Sequence, residues 1–157
     1  MNIKMDVNPK KRMHESSEVV KRHSVGEQVV ASHLDESGIT YLYDASLKDL
    51  KGVKNGPLRF DFVIPYSQKE DTQSILNGTN TNFAVVEYNG IYHYHLIQGR
   101  TSKYTLCKQQ FNDYLKHIYC QHKDIPILWI PYWTHLTHVK QDLDAFLNTL
   151  PITKNTE

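Results

Sequence analysis

Sulfur, net charge and long apolar runs are all scarce in this chain, and each scarcity closes a class of explanation. Only two cysteines occur, Cys107 and Cys120, thirteen positions apart in one predicted helix. At about 1.5 Å rise per residue they stand roughly 20 Å apart, whereas a disulfide needs Cα atoms within about 7 Å. They are expected as reduced thiols, and their spacing is not that of a zinc site. The formal net charge is +1, so no global basic field marks the chain for nucleic acid. No apolar run is long enough to span a bilayer, and the start lacks the apolar core of a signal peptide. A cytoplasmic protein with no membrane partner is therefore expected. No internal repeat is visible, and 157 residues suffice for one domain with a full core.

The charge that is present is uneven. Lys10, Lys11, Arg12, Lys21 and Arg22 crowd residues 1–23, which read as a flexible basic arm, either a solvated tail or a phosphate contact. Residues 24–150 read as the single domain and 151–157 as a C-terminal tail.

Within the domain, Val25, Val29, Val30 and Leu34 recur at helical spacing. Ser24 is the expected N-cap, with Glu27 three residues on as in a capping box, and Gly38 closes the helix. Ile39–Tyr43 reads as a strand and Ser46–Pro57 as a loop. Leu58–Ile64 is a second strand, stopped by Pro65. The polar stretch Gln68–Thr81 reads as a long surface loop. Asn82–Tyr88 and Ile91–Leu96 flank Asn89-Gly90 and read as a hairpin. Thr101 or Ser102 caps a helix in which Leu106, Phe111, Leu115, Ile118 and Tyr119 recur. Ile125–Trp133 reads as a buried strand, and His138–Asn148 as a helix packing Val139, Leu143, Phe146 and Leu147. The expected fold is mixed α/β, with a small central sheet flanked by helices.

Two carboxylates stand out against this background. Asp61 interrupts LRFDFVIP and Glu87 interrupts NFAVVEYNG. A carboxylate inside a strand is costly unless it is paired or bound to a metal. If the strands are neighbours, the pair can present oxygens to a divalent cation. Hydrolysis of a phosphodiester needs such an ion, carboxylates to hold it, and a base or cation to assist the water. Glu27 can add a third carboxylate, or it can simply cap its helix. Asp61 can instead pair with Arg59, and Glu87 can be an edge-strand surface charge. Lys116 lies three residues after Asp113 on one helical face. It can reach the site or pair with Asp113. His93 can serve as general base or phosphate contact, or be an ordinary strand histidine, and His95 alternates with it. Tyr88, Tyr92, Tyr94, Tyr132 and Trp133 can stack bases or pack the core.

Five stretches occur in a set order over residues 25–133: Gly26-Glu27, LRFDFVIP, EYNGIYHY, DYLKHIYC and IPILWIPYW. In these the chain resembles the restriction-endonuclease-like PD-(D/E)XK nucleases, near the phage and mobile-element group of very-short-patch-repair and homing enzymes. The resemblance implies a restriction-endonuclease-like core and Mg²⁺- or Mn²⁺-dependent hydrolysis of DNA. It also implies Glu27, Asp61 and Glu87 as metal ligands. On that footing Lys116 or His93 is expected to assist the water, and the basic arm and the Ser46–Lys54 loop to contact phosphates. Many relatives act as dimers, which leaves a homodimer open. Asn89 stands where many members carry the catalytic lysine, Tyr92 where they carry glutamine, and Trp129 where they carry arginine. Those departures motivate the rival reading of an inactive nuclease fold that binds DNA or a host protein.

Overall fold

The structure is a computed structural model that describes residues 24–69 and 72–153. The expected basic arm and residues 154–157 lie outside the described residues. The chain runs α1 (Val25–Glu36), β1 (Leu42–Lys51), β2 (Pro57–Pro65), α2 (Gln73–Leu76), β3 (Phe83–Asn89), a 3-10 turn (Ile91–His93), α3 (Lys103–His122), β4 (Ile127–Pro131) and α4 (Leu136–Asn148). The four strands form one mixed sheet in the order β1-β2-β3-β4. β1, β2 and β3 pair antiparallel, while β4 joins β3 in parallel through the α3 crossover.

A strand buries opposite faces with alternate residues, and β3 shows this directly. Val85 packs with Leu47, Phe60, Val63 and Cys120 on the α3 side. Its neighbour Val86 packs with Val30, Leu34, Ile130, Val139 and Leu143 on the α1 and α4 side. Helices thus cover both faces. The His33–Asp144 contact at 2.6 Å ties α1 to α4. Among the described residues, no helix is long and apolar enough to cross a membrane.

Three expectations change. The Asn89-Gly90 hairpin does not form, and Ile91–His93 winds into a 3-10 turn instead. A hairpin needs a free edge of β3, and both edges are taken, by β2 and by β4. Gly90 is accordingly extended rather than left-handed, with φ −69°. The expected loop at Ser46 is strand as far as Lys51, because Leu47 and Leu50 reach the core. The chain then reverses at Gly52–Gly56, where Gly52 N–H bonds the Gly56 carbonyl at 2.8 Å. The expected 68–81 loop contains α2, anchored by Ile75, which is buried against the α3-side core.

Beyond α4 the chain turns back onto the domain. Ile152 packs against the α1-side core, and Thr153 N–H bonds the Tyr66 carbonyl at 3.0 Å.

Candidate active site

The β2–β3 ladder runs from Pro65–Phe83 to Phe62–Val86 and stops there. Asp61 and Glu87 are the next residues on each strand. In place of the ladder, each carboxylate takes a backbone N–H from the opposite strand. Glu87 Oε1 accepts from Asp61 N at 2.8 Å, and Asp61 Oδ2 accepts from Tyr88 N at 2.8 Å. Such bonds satisfy amides that would otherwise be orphaned as the strands part. They also fix both carboxyl groups without flexible partners.

Glu87 is 1 % exposed and faces α3. Its second oxygen, Oε2, accepts from Lys116 Nζ at 2.7 Å, and Lys116 is itself buried. The ammonium also lies 5.8 Å from the centre of the Phe60 ring. Lys116 therefore reaches the site rather than pairing with Asp113. Burial pushes the Glu87 carboxyl above the ordinary range, and the Lys116 charge and the Asp61 N–H pull it back in part.

Asp61 has no such partner. Arg59 is engaged by Asp44, with Nε to Oδ1 at 2.7 Å and Nη2 to the Asp44 carbonyl at 2.7 Å. The expected alternative of an Arg59–Asp61 pair is thus excluded. Burial first, and then the Glu87 charge, raise the Asp61 carboxyl to about 8. Two carboxylates share one lysine, so the cluster carries an uncompensated negative charge whenever both are ionised.

Glu27 takes the first of its two expected roles, the helix cap. Its Oε2 accepts from Ser24 N at 2.7 Å, and its own N–H bonds Ser24 Oγ at 3.2 Å, completing the capping box. Its charge nonetheless reaches Asp61 and raises that carboxyl further. The adjacent Gly26 is required by contact, since a Cβ there would lie 1.9 Å from Tyr88 Cζ. Gly26→Ala must displace the ring of Tyr88, the residue whose backbone N–H Asp61 holds. Overpacking of this kind costs about 1–3 kcal/mol. A urea-unfolding midpoint unchanged by the substitution would refute the contact.

An open cavity of about 350 Å³ is lined by Asn89, His93, Asp113, His117 and Trp129, among others, and it adjoins the carboxylate cluster through chain neighbours, Asn89 two residues after Glu87 and His117 next to Lys116. His93 Nδ1 meets Asp113 Oδ2 at 2.8 Å, and Gln109 Nε2 donates to Asp113 Oδ1 at 3.2 Å. With Nδ1 bound, the free ring nitrogen is Nε2. One helix thus delivers two groups: Lys116 to Glu87, and Asp113 to His93. The sequence offered Asp113 only as a partner for Lys116. Its available signal was isolation, since Asp113 is the sole acidic residue between Gln98 and Lys123.

Other candidates separate. His95 is exposed and meets Tyr132 edge-on, with ring centroids 6.0 Å apart, since the strand that would have aligned it with His93 does not form. Tyr94, Tyr132 and Trp133 cluster on one another, with Tyr94 and Trp133 centroids 4.7 Å apart. Tyr88 packs with the α1-side core. Cys107 is exposed and Cys120 buried, both unbridged as expected.

Asp61, Glu87 and Glu27 offer hard oxygen donors of the type that suits Mg²⁺ or Mn²⁺, and such an ion would take the place of the proton that the raised Asp61 carboxyl holds at neutral pH. Among the described residues no three His, Cys, Asp or Glu side chains already converge at ligand distance. No family model, curated protein or solved structure matches the chain.

Proposed function

We propose that the protein is a metal-dependent endonuclease on a restriction-endonuclease-like core, hydrolysing phosphodiester bonds of DNA. The observation that carries this reading is the Asp61–Glu87–Lys116 cluster. Its two carboxylates are fixed across the point where the strands part, and a single lysine offsets them. Structural ion pairs have no need of a second, unpaired carboxylate. Burying one without compensation is unfavourable, which favours a functional reason for Asp61.

Asp61 and Glu87, with Glu27 as third arm, would hold Mg²⁺ or Mn²⁺. When bound, such an ion polarises the phosphate and acidifies water. Lys116 holds Glu87 in place and brings positive charge to the position where a nucleophile is assisted. His93 lines the cavity, and Asp113, bound to Nδ1, would fix the ring so that Nε2 can take or give a proton. Lys116 also bears on the rival reading of an inactive fold, which rests on Asn89. Lys116 of α3, in direct contact with Glu87, would stand in for the lysine missing two residues after it.

The test uses purified protein with plasmid and linear DNA, and RNA in parallel, in Mg²⁺ or Mn²⁺. Cleavage is expected with wild type and not with Glu87→Ala. His93→Ala is expected to lose about 10²–10⁴-fold in rate. If no metal supports cleavage of any nucleic acid, the reading fails. Binding of DNA or a host protein that persists in Glu87→Ala would then favour the inactive fold.

A further inference from the structure

The outer face of α3 carries large apolar side chains that the core does not use. The helical period suggested Phe111 as a core residue, yet it is 50 % exposed, with Tyr104 at 63 % and Tyr114 at 54 %. Tyr104, Cys107, Phe111 and Tyr114 follow one another at spacings of three, four and three residues, so they form one stripe along the helix. Rings of Phe111 and Tyr114 lie 6.1 Å apart. Cations accompany the stripe. Lys54, from the β1–β2 turn, lies 5.7 Å from the Tyr104 ring, and Lys103 and Lys108 sit within one turn of Tyr104.

Charge decides what the stripe can receive. The sole acid between Gln98 and Lys123 is Asp113, and it is turned inward onto His93. Antiparallel pairing with a second copy of α3 would offer Lys103 and Lys108 no acidic partner on the facing helix, where Lys123 is already paired with Asp49. An acidic backbone carrying flat rings is the complementary partner. The stripe also has a direction: Tyr114 lines the cavity of about 350 Å³ that holds His93 and Asp113. We propose that the outer face of α3 is a track for an unpaired nucleic-acid strand, whose bases stack on Tyr104, Phe111 and Tyr114 and whose phosphates meet Lys54, Lys103 and Lys108, leading into the cavity. This rests on the nuclease reading and deepens it, naming a single-stranded stretch, such as a flap, bubble or overhang, as the substrate feature.

Full-length protein in EDTA, where cleavage is silent, is titrated against labelled single-stranded, bubble-containing and fully paired DNA of one sequence. Wild type is expected to prefer the unpaired substrates. Tyr104→Ala/Phe111→Ala changes two exposed side chains, so the fold should persist, as circular dichroism will verify. Unpaired-strand affinity is expected to fall at least about tenfold, with duplex affinity nearly unchanged. Phe111→Trp should retain binding, because any flat ring serves. Replacing Lys103 and Lys108 by Ala should flatten the salt dependence of binding. Equal affinity for single and double strands, untouched by the aromatic double variant, overturns the track and leaves the nuclease reading standing. Absence of binding to any nucleic acid overturns the track, and the nuclease reading falls with it only if cleavage in Mg²⁺ or Mn²⁺ is absent as well. Self-association that Phe111→Ala abolishes would assign the stripe to a second copy, and would overturn the track as well.

Discussion

Lys116→Met is expected to destabilise the domain by about 3–5 kcal/mol, the cost of leaving a buried charge without its partner. Both members of this pair are almost fully enclosed, with side chains 9 % and 1 % exposed, so water cannot replace the ammonium. Removing Lys116 leaves Glu87 with one N–H, from Asp61, and nothing on Oε2. The carboxyl must then remain protonated or admit water. The double variant Lys116→Met/Glu87→Gln removes the charge from both sides and is expected to recover most of the loss. An uncharged buried pair often equals an ionic one in stability. Urea unfolding of the wild type, both single variants and the double variant closes this cycle. If Lys116→Met alone costs less than about 1 kcal/mol, the pair is not buried as described. Nuclease activity is expected to vanish in the double variant even where the fold recovers, separating what the pair does for stability from what it does for chemistry.

Asp61→Asn is expected to make the protein more stable at pH 8 and to abolish activity. In the folded chain the Asp61 carboxyl titrates at about 8, raised from 3.8 by burial and by Glu87. Between those two values the folded state holds a proton that the unfolded chain has lost. Stability from this group is therefore fully present below about pH 4 and declines as pH rises through about 8. Asparagine cannot ionise, and its amide oxygen can still accept the Tyr88 N–H. The variant should show a flatter stability profile from pH 4 to 8, with the widest gap over wild type at the alkaline end. Urea unfolding in EDTA across that range measures it. A wild-type profile equally flat would show that Asp61 is ionised at no cost, and the argument for an uncompensated charge would fail. A site residue that destabilises its own fold is the pattern expected where stability is given up for function.

Several features could be read directly from the residues. The Ser24/Glu27 capping box, the two free thiols and the β-strand status of Asp61 and Glu87 depend on local spacing and composition. Local rules decide them because the interactions span only a few residues. Glu27 was legible as a cap from its spacing to Ser24, while the reach of its charge to Asp61 needed the fold.

What lay beyond the sequence was every feature set by a partner distant along the chain. The Asn89-Gly90 turn has the local signal of a hairpin, and it fails because β4, some forty residues on, occupies the edge that a hairpin would need. Phe111 fits the helical period of a core residue and lies outside, because α3 turns Lys116 and Cys120 toward the sheet instead. The sequence by itself determined that two carboxylates would stand in strands, that α3 would carry a lysine, and that the chain would fold as α/β. Only the tertiary structure decided that the carboxylates would exchange backbone N–H bonds across a parting ladder, that Lys116 would choose Glu87 over Asp113, and that Asp61 would be left without an ion-pair partner of its own. The physical reason is that hydrogen-bond and ion-pair choice is settled by burial and by competition among partners brought together from afar, and neither exists until the chain has folded.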